Sequence, residues 1–254
     1  NQLGVDPWFT LPHDATDETV RQYATLVHDR LDPRLRPHVE YSNETWNGGY
    51  PQAQWVMDHG QALGLGTSPF QAGQLYTGLR SAQVFRIWEQ VYGGHSRFVR
   101  VLSAQAGNAW TGRQVVAGAG PGNADVLAVA PYLQCVRDLL TQGTTGADQV
   151  KAMTEDQIID RCFAELRSST RDQITQNLQT ATANGLQLMA YEGGQHLVGL
   201  GAQVSDTALT AKLTSTNRNP RMEALYLEYL GAWRQLGGGR FMSFASVWLP
   251  NQNG

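Results

Sequence analysis

Short apolar segments alternate with longer amphipathic segments along most of the chain. The apolar segments predict β-strands at Val5–Leu11, Val39–Tyr41, Arg97–Ser103, Val126–Pro131, Leu186–Tyr191 and Arg240–Val247. Helical periodicity with start and stop signals predicts helices at Val20–Leu31, Gln52–Tyr92 with a break near Gly64, Thr154–Asn184 and Pro220–Leu236. Strands separated by helices indicate βαβ units and a parallel sheet. No linker or internal repeat divides the chain, so a single domain over residues 1–254 is predicted.

Two α/β arrangements fit this alternation, an open doubly wound sheet and a closed (βα)8 barrel. The glycine-rich stretch Ala117–Gly122 lacks the Lys-Ser/Thr of a phosphate loop and precedes a strand, so it does not favour a nucleotide-binding sheet. The informative polar residues instead follow the strands, at the edge that holds the active site in a barrel. The pattern therefore predicts an α/β fold of the (βα)8 TIM-barrel type.

Composition narrows the class of function. The apolar fraction is 41%, the charged fraction is 16% and the formal net charge is -3, with Lys151 and Lys212 the only lysines. A chain without a basic patch offers no electrostatic footprint for nucleic acid, and no apolar run is long enough to span a bilayer. The six histidines show no metal-ligand spacing, so neither a metal site nor a cofactor is predicted. Cys135 and Cys162 either form one disulfide or remain two thiols, which leaves the redox compartment undecided.

Two glutamates stand where a predicted strand gives way to a loop. Glu44 follows the strand of the segment His38–Asn47, and Glu192 follows the strand Leu186–Tyr191. A strand end holds a side chain rigidly while leaving it open to a cavity, which catalysis requires. Glu40 and Tyr191 are expected to point away from these carboxylates, because side chains alternate along a strand. The spacing suggests a carboxylate pair acting on one bond.

The segment Glu40–Asn47, together with the distant Glu192, resembles the clan A retaining glycoside hydrolases, a superfamily of (βα)8 barrels. The sequence of this segment is also similar to that of bacterial proteins labelled cellulose-binding. The resemblance implies that Glu44 is the acid/base at the end of the fourth strand and that Glu192 is the nucleophile at the end of the seventh. It also implies that Asn43 binds the sugar 2-hydroxyl group.

The same resemblance assigns substrate-binding roles to residues at other strand ends. His13 matches a polar position after the third strand, and Tyr132 matches a tyrosine after the sixth strand that bonds to the nucleophile. Trp248 matches a tryptophan after the eighth strand that forms the floor of the sugar subsite, and Trp46 is placed beside it. The ligand implied is a carbohydrate, without cofactor or metal.

The chain departs from the barrel template at its start. If Glu44 ends the fourth strand, the chain contains roughly six of the eight barrel strands. The first two strands of the barrel then have no counterpart here, and neither does the arginine that the superfamily carries on its second strand. An incomplete barrel would expose strand edges, so we expect a homo-oligomer or a missing N-terminal segment to cover them. The expected location is secreted or periplasmic in a bacterium, with no signal in this chain.

Two functions of different class therefore remain open from the sequence. One is a retaining glycosidase that cleaves β-glycosidic bonds of a polysaccharide or oligosaccharide by double displacement. The other is a non-catalytic carbohydrate-binding or scaffold protein that keeps the aromatic cleft in a degenerate barrel.

Overall fold

A computed structural model describes residues 1–244 and has an α/β fold built on a five-stranded parallel sheet. The strands are β1 Trp8–Leu11, β2 His38–Tyr41, β3 Val99–Ser103, β4 Val126–Val129 and β5 Gln187–Ala190. Each strand pairs with the next one along the chain, in the order β1-β2-β3-β4-β5. The predicted alternation of helices with a parallel sheet is confirmed. Closure into a barrel is not shown, since among residues 1–244 β1 and β5 each have one strand neighbour.

Helices connect the strands and continue after the last one. They are α1 Asp17–Arg30, α2 Pro51–Ala62, α3 Pro69–Tyr92, α4 Ala109–Ala119, α5 Arg137–Leu140, α6 Thr144–Ala152, α7 Glu155–Glu165, α8 Arg171–Ala183, α9 Thr207–Asn217 and α10 Arg221–Leu236. A π-helical turn at Leu166–Thr170 joins α7 to α8, and a 3-10 helix occupies Gly201–Ser205. Among these described helices, none is long and apolar enough to cross a membrane.

Hydroxyl side chains start several helices where the sequence signals them. The hydroxyl groups of Thr16 and Ser68 accept hydrogen bonds from the third backbone N–H of α1 and α3. Thr154 and Gln157 form a reciprocal capping box at the start of α7. The predicted break in the long helical region lies between α2 and α3, where Gly64 and Gly66 adopt positive φ. These boundaries therefore follow from local chemistry.

The helices α4, α5, α6 and α9 were not predicted from the sequence. Helix α4 contains glycines, which disfavour a helix locally, yet it packs closely on α3. A Cβ atom at Gly78 of α3 would fall 1.9 Å from the Val115 carbonyl oxygen, and one at Gly118 would fall 2.0 Å from the Leu75 carbonyl oxygen. Close packing of α3 on α4 therefore explains why glycine occupies positions 78 and 118. The predicted strand Arg240–Val247 is irregular over its described part, 240–244, and the rest lies outside the described residues.

The described chain forms two compact units and crosses between them three times. The first unit comprises Asn1–Val129 and Gln176–Tyr191, and the second comprises Ala130–Thr175 and the residues from Glu192 onward. The single domain predicted from the sequence stays a prediction, because a compact unit is not by itself a domain.

The two units have cores of different kinds. In the first unit, one face of the sheet is buried by alternate strand residues, namely Val99, Val101, Val126, Ala128 and Met189. Trp8 and Tyr191 pack against this cluster. In the second unit the core is made by helices, with Ile158, Ile159, Leu209 and Leu225 fully buried. A disulfide joins Cys135 to Cys162 within the second unit. The first unit is thus built around a sheet and the second around helices.

Candidate active site

The loop after β2 places Glu44 in a strained, buried position. Ser42 and Glu44 have φ of 58° and 46°, a left-handed conformation that non-glycine residues rarely adopt. Glu44 is only 9% exposed. The next residue, Thr45, is tied to α3 because the Thr77 hydroxyl donates a hydrogen bond of 3.0 Å to its Oγ1. Such strain persists only where the surrounding contacts hold it, and it concentrates at functional sites.

The Glu44 carboxyl group has hydrogen-bond donors but no cation among its described partners. Asn47 Nδ2 donates to Glu44 Oε2 over 2.8 Å. Burial raises the pKa of Glu44 above its ordinary value, and the Asn47 amide and the nearby Tyr191 hydroxyl group offset only part of that increase. Glu44 therefore keeps its proton to higher pH than a solvated glutamate, the property of a general acid.

Tyr191 is a neighbour of Glu44 that the sequence did not reveal. Its side chain lowers the pKa of the Glu44 carboxyl group, so the two groups lie close together. Glu44 lies beyond the end of β2, where two left-handed residues redirect the chain. Strand alternation predicted that Tyr191 points away from Glu192, the residue that follows it, and this stays a prediction.

A second buried carboxylate lies on the sheet face that carries Trp8. Glu40 is 1% exposed, and its Oε2 accepts hydrogen bonds from Trp8 Nε1 at 2.8 Å and from the Thr10 hydroxyl at 3.3 Å. The ring of His38 stacks on Trp8 with centroids 5.1 Å apart. Register explains this grouping, since Trp8 pairs with His38 and Thr10 pairs with Glu40. Glu40, which lies on β2, is therefore held by two side chains of the neighbouring strand β1.

Three other predicted site residues of the first unit have different surroundings. Asn43 is exposed, and its carbonyl accepts a 2.8 Å hydrogen bond from Gln52 Nε2. The indole of Trp46 is half-buried, and its Nε1 has no hydrogen-bond partner within residues 1–244. The ring of His13 stands edge-on to Trp55 of α2, with centroids 5.3 Å apart. Of the three, Asn43 and Trp46 share the Glu44 loop, while His13 packs against α2.

Glu192 directly follows Tyr191 and belongs to the second unit. Glu192 is half-buried and is followed by Gly193, whose carbonyl accepts a 2.9 Å hydrogen bond from the backbone N–H of Phe244. The ring of Tyr132 contacts His196 and Phe244 edge-on, with centroids 5.5 and 6.5 Å apart. Burial lowers the pKa of His196, so this imidazole is neutral at pH 7. Trp248, the remaining predicted site residue, lies outside the described residues.

The loop that carries Tyr132 is held by three residues of α7. Cys162 forms the disulfide with Cys135, and Arg161 Nε donates to the Cys135 carbonyl over 3.2 Å. Glu165 accepts hydrogen bonds from the backbone N–H groups of Gln134, at 3.0 Å, and Cys135. Burial raises the pKa of Glu165 despite these bonds. Glu165 was not predicted as a functional residue, although its place on the apolar face of the helix, with Ile158 and Cys162, was a usable signal.

The candidate residues thus group by unit. Glu44, Asn47 and Tyr191 come together in the first unit, while Tyr132 and Glu192 belong to the second. Within residues 1–244, no three histidine, cysteine or acidic side chains gather in a way that could hold a metal ion. The chain matches no protein-family model, and no curated protein sequence is significantly similar to it.

Proposed function

We propose that this chain is a retaining glycoside hydrolase that cleaves β-glycosidic bonds of a polysaccharide or oligosaccharide. The observation that carries the proposal is the Glu44 carboxyl group, buried at the end of a parallel strand with its pKa raised by that burial. A glycosidase needs one carboxyl group that stays protonated at working pH, and such an environment provides it.

The proposed reaction has two steps. In the first, the Glu192 carboxylate attacks the anomeric carbon, the glycosidic C–O bond breaks, and Glu44 transfers its proton to the departing oxygen. In the second, Glu44 takes a proton from water, whose oxygen displaces Glu192 from the same carbon and restores both carboxyl groups. This chemistry requires the two carboxyl groups to approach within roughly 5 Å.

Substrate contacts in this proposal follow the resemblance described above. Asn43 binds the 2-hydroxyl group, and His13, Trp46, Tyr132 and Trp248 line the sugar sites. The half-buried Trp46 indole lies two residues after Glu44, which supports a role in stacking on a sugar ring. We further propose that the sheet belongs to a (βα)8 barrel, because parallel strands that pair in chain order are what such a barrel contains.

The test separates the two carboxylates by their chemistry. A 2-deoxy-2-fluoro glycoside with a good leaving group should label Glu192, as located by mass spectrometry of peptides. Glu44→Gln should lower turnover of 4-nitrophenyl β-glycosides roughly 100- to 10,000-fold. It should lower turnover of the 2,4-dinitrophenyl analogues much less, because that leaving group needs no proton. Glu192→Gln should abolish both reactions.

The control is Glu223→Gln, which changes an exposed carboxylate of α10. It should leave both rates unchanged. Carbohydrate binding with neither labelling nor reducing-sugar release would refute the hydrolase and favour the non-catalytic carbohydrate-binding protein.

We also propose that the protein works in an oxidising compartment, secreted or periplasmic. The Cys135–Cys162 disulfide supports this, since such bonds are rare in reducing cytosol. Within the described part of the chain, β1 and β5 each lack a second strand neighbour. We propose that another copy of the chain or an N-terminal segment covers these edges, which sedimentation of the purified chain tests. A stable monomer with no additional segment would count against it.

A further inference from the structure

Two aromatic rings, one exposed and one half-buried, stack at the start of adjacent helices in the first unit. Phe70 lies in the first turn of α3 and Trp110 in the first turn of α4. Their ring centroids are 5.8 Å apart and their planes differ by 16°. Phe70 is 36% exposed and Trp110 is half-buried, so ring surface remains open to solvent.

The stack lies at the same end of the first unit as Glu44. Helix α4 begins just after β3, so its first turn stands at the carboxyl end of the sheet. Thr77 of α3 bonds to Thr45, the neighbour of Glu44. Phe70 precedes Thr77 by seven residues, on the same face of the helix, which places it about 10 Å farther along the axis.

Uncharged hydrogen-bonding groups stand beside the rings. Gln71 follows Phe70, and its Nε2 donates a 2.9 Å hydrogen bond to Gln114 Oε1 on α4. Gln71 Oε1 accepts from the backbone N–H and the hydroxyl group of Thr67, at 2.8 and 2.9 Å, so one N–H of Gln71 and the amide N–H groups of Gln114 remain for a ligand. Gln71 adjoins Phe70 in sequence, and Gln114 lies one helical turn after Trp110. A flat apolar face flanked by fixed amides suits a pyranose ring, which has an apolar face and hydroxyl groups at its edge.

We propose that Phe70 and Trp110 form a distal sugar-binding subsite for a polysaccharide chain that extends from the Glu44 end of the sheet. This inference rests on the proposed function for the identity of its ligand. It adds a specific property, preference for long glycans, because the stack is too far from Glu44 to touch the sugar whose bond is cleaved.

The test measures binding and turnover on the whole chain. Electrophoresis in gels that contain hydroxyethylcellulose, xylan or galactomannan should retard the wild-type protein in at least one gel. The double variant Phe70→Ala/Trp110→Ala should bind that polysaccharide at least tenfold more weakly. Its turnover of a short 4-nitrophenyl β-glycoside should be unchanged. The control is Tyr23→Ala, which removes another exposed aromatic ring. Tyr23 lies in α1 and packs on Phe9 of β1, and its removal should leave retardation unchanged.

A second variant, Phe70→Leu/Trp110→Leu, keeps apolar side chains and removes the flat rings. It should bind as weakly as the alanine variant, and wild-type binding by this variant would overturn the sugar-stacking assignment. Retardation in none of the three gels, or equal retardation of wild type and both double variants, would also overturn it. Ring-dependent retardation in a protein that hydrolyses no glycoside would support the subsite while refuting the hydrolase. Hydrolysis that needs Glu44 and Glu192, without ring-dependent retardation, would do the reverse.

Discussion

The loop after β2 and the loop after β4 are held in place by different kinds of contact. In the first unit, residues 42–47 rely on two left-handed backbone positions and on hydrogen bonds to Glu44 and Thr45. In the second unit, residues 130–136 are held by a disulfide, a guanidinium group and the carboxylate of Glu165, all supplied by α7. The first loop is held by hydrogen bonds alone, whereas the second is held by one covalent bond and a half-buried carboxylate.

The comparison shows that a raised pKa alone does not identify an active site. Burial raises the pKa of both Glu44 and Glu165. Each oxygen of Glu165 accepts a backbone N–H, so this carboxylate is committed to supporting the loop. In the described part of the chain, Glu44 accepts from the Asn47 side chain and from no backbone N–H. The type of partner therefore separates Glu44, the acid of the proposed reaction, from the structural carboxylate of Glu165.

The largest expected effect comes from removing the disulfide. Cys135 and Cys162 are 27 positions apart, so Cys135→Ala/Cys162→Ala should lower the free energy of unfolding by about 3 to 4 kcal/mol through loop entropy. Urea denaturation measures this change. Hydrogen exchange should become faster in residues 130–136 and stay unchanged in 42–47, which contains no cysteine. Faster exchange in both loops would show that the two are not independently supported.

The next largest effect should come from Glu165. Glu165→Ala leaves two backbone N–H groups without their acceptor and should cost about 2 kcal/mol of unfolding free energy. The control Glu228→Ala removes a partly exposed ion pair with Arg167 and should cost less than about 1 kcal/mol. Equal losses in the two variants would contradict a structural role specific to Glu165.

The pH dependence of stability gives an independent test of Glu165. Its folded-state pKa lies above the unfolded value of about 4.3. Between these two values the folded protein binds more protons than the unfolded chain, so the free energy of unfolding falls as pH rises through that window. Glu165→Gln has no titrating group and should flatten this part of the profile, as followed by urea midpoints. If the unfolding free energy of Glu165→Gln fell with pH as steeply as that of the wild type, the slope would belong to other carboxyl groups.

A smaller and opposite effect is expected at Gln74 in the first unit. Gln74 is 1% exposed, and neither amide atom has a hydrogen-bond partner within residues 1–244. Gln74→Met keeps the length of the side chain and removes the buried amide, so unfolding should cost about 1 kcal/mol more. The control Gln83→Met changes a half-buried glutamine that bonds to Arg80 and should not stabilise. Destabilisation by Gln74→Met would mean that its amide is satisfied in solution.

The smallest effect concerns the pH profile of the proposed reaction. The Asn47 amide and the Tyr191 hydroxyl group lower the pKa of Glu44, so Asn47→Ala or Tyr191→Phe should raise it further. Because the acid must be protonated, the alkaline limb of kcat/KM should move to higher pH in each variant. The control Gln52→Ala affects the same loop through the Asn43 carbonyl and should leave the limb in place. A shift to lower pH would remove Glu44 from the role of acid.

Much of the fold was predictable because its strands are short apolar runs flanked by turn signals. Five of the predicted strands are present, and the break at Gly64 separates α2 from α3. The predicted helix Thr154–Asn184 is interrupted by a π-helical turn that no local signal marks. Helix α4 escaped notice because its glycines reflect contact with α3, which the local sequence does not encode. Elements defined by their own pattern were found, and those defined by their neighbours were not.

The site was predictable to a similar extent. Glu44 was found because it ends a strand, a feature that a linear sequence reveals. Tyr191 was missed because its contact with Glu44 depends on a turn made of non-glycine residues, for which no sequence rule exists. The pairing of Glu44 with Glu192 stays a prediction, as does the role of Trp248.

The glycine contacts between α3 and α4 have a consequence for protein engineering. Main-chain atoms, not side chains, determine how far these helices stand apart at Gly78 and Gly118. Repacking the surrounding interior would therefore change the position of Trp110 relative to Thr45 very little. Moving Trp110 would instead require rebuilding residues 104–108, the segment that leads into α4, while the helix pair stays untouched.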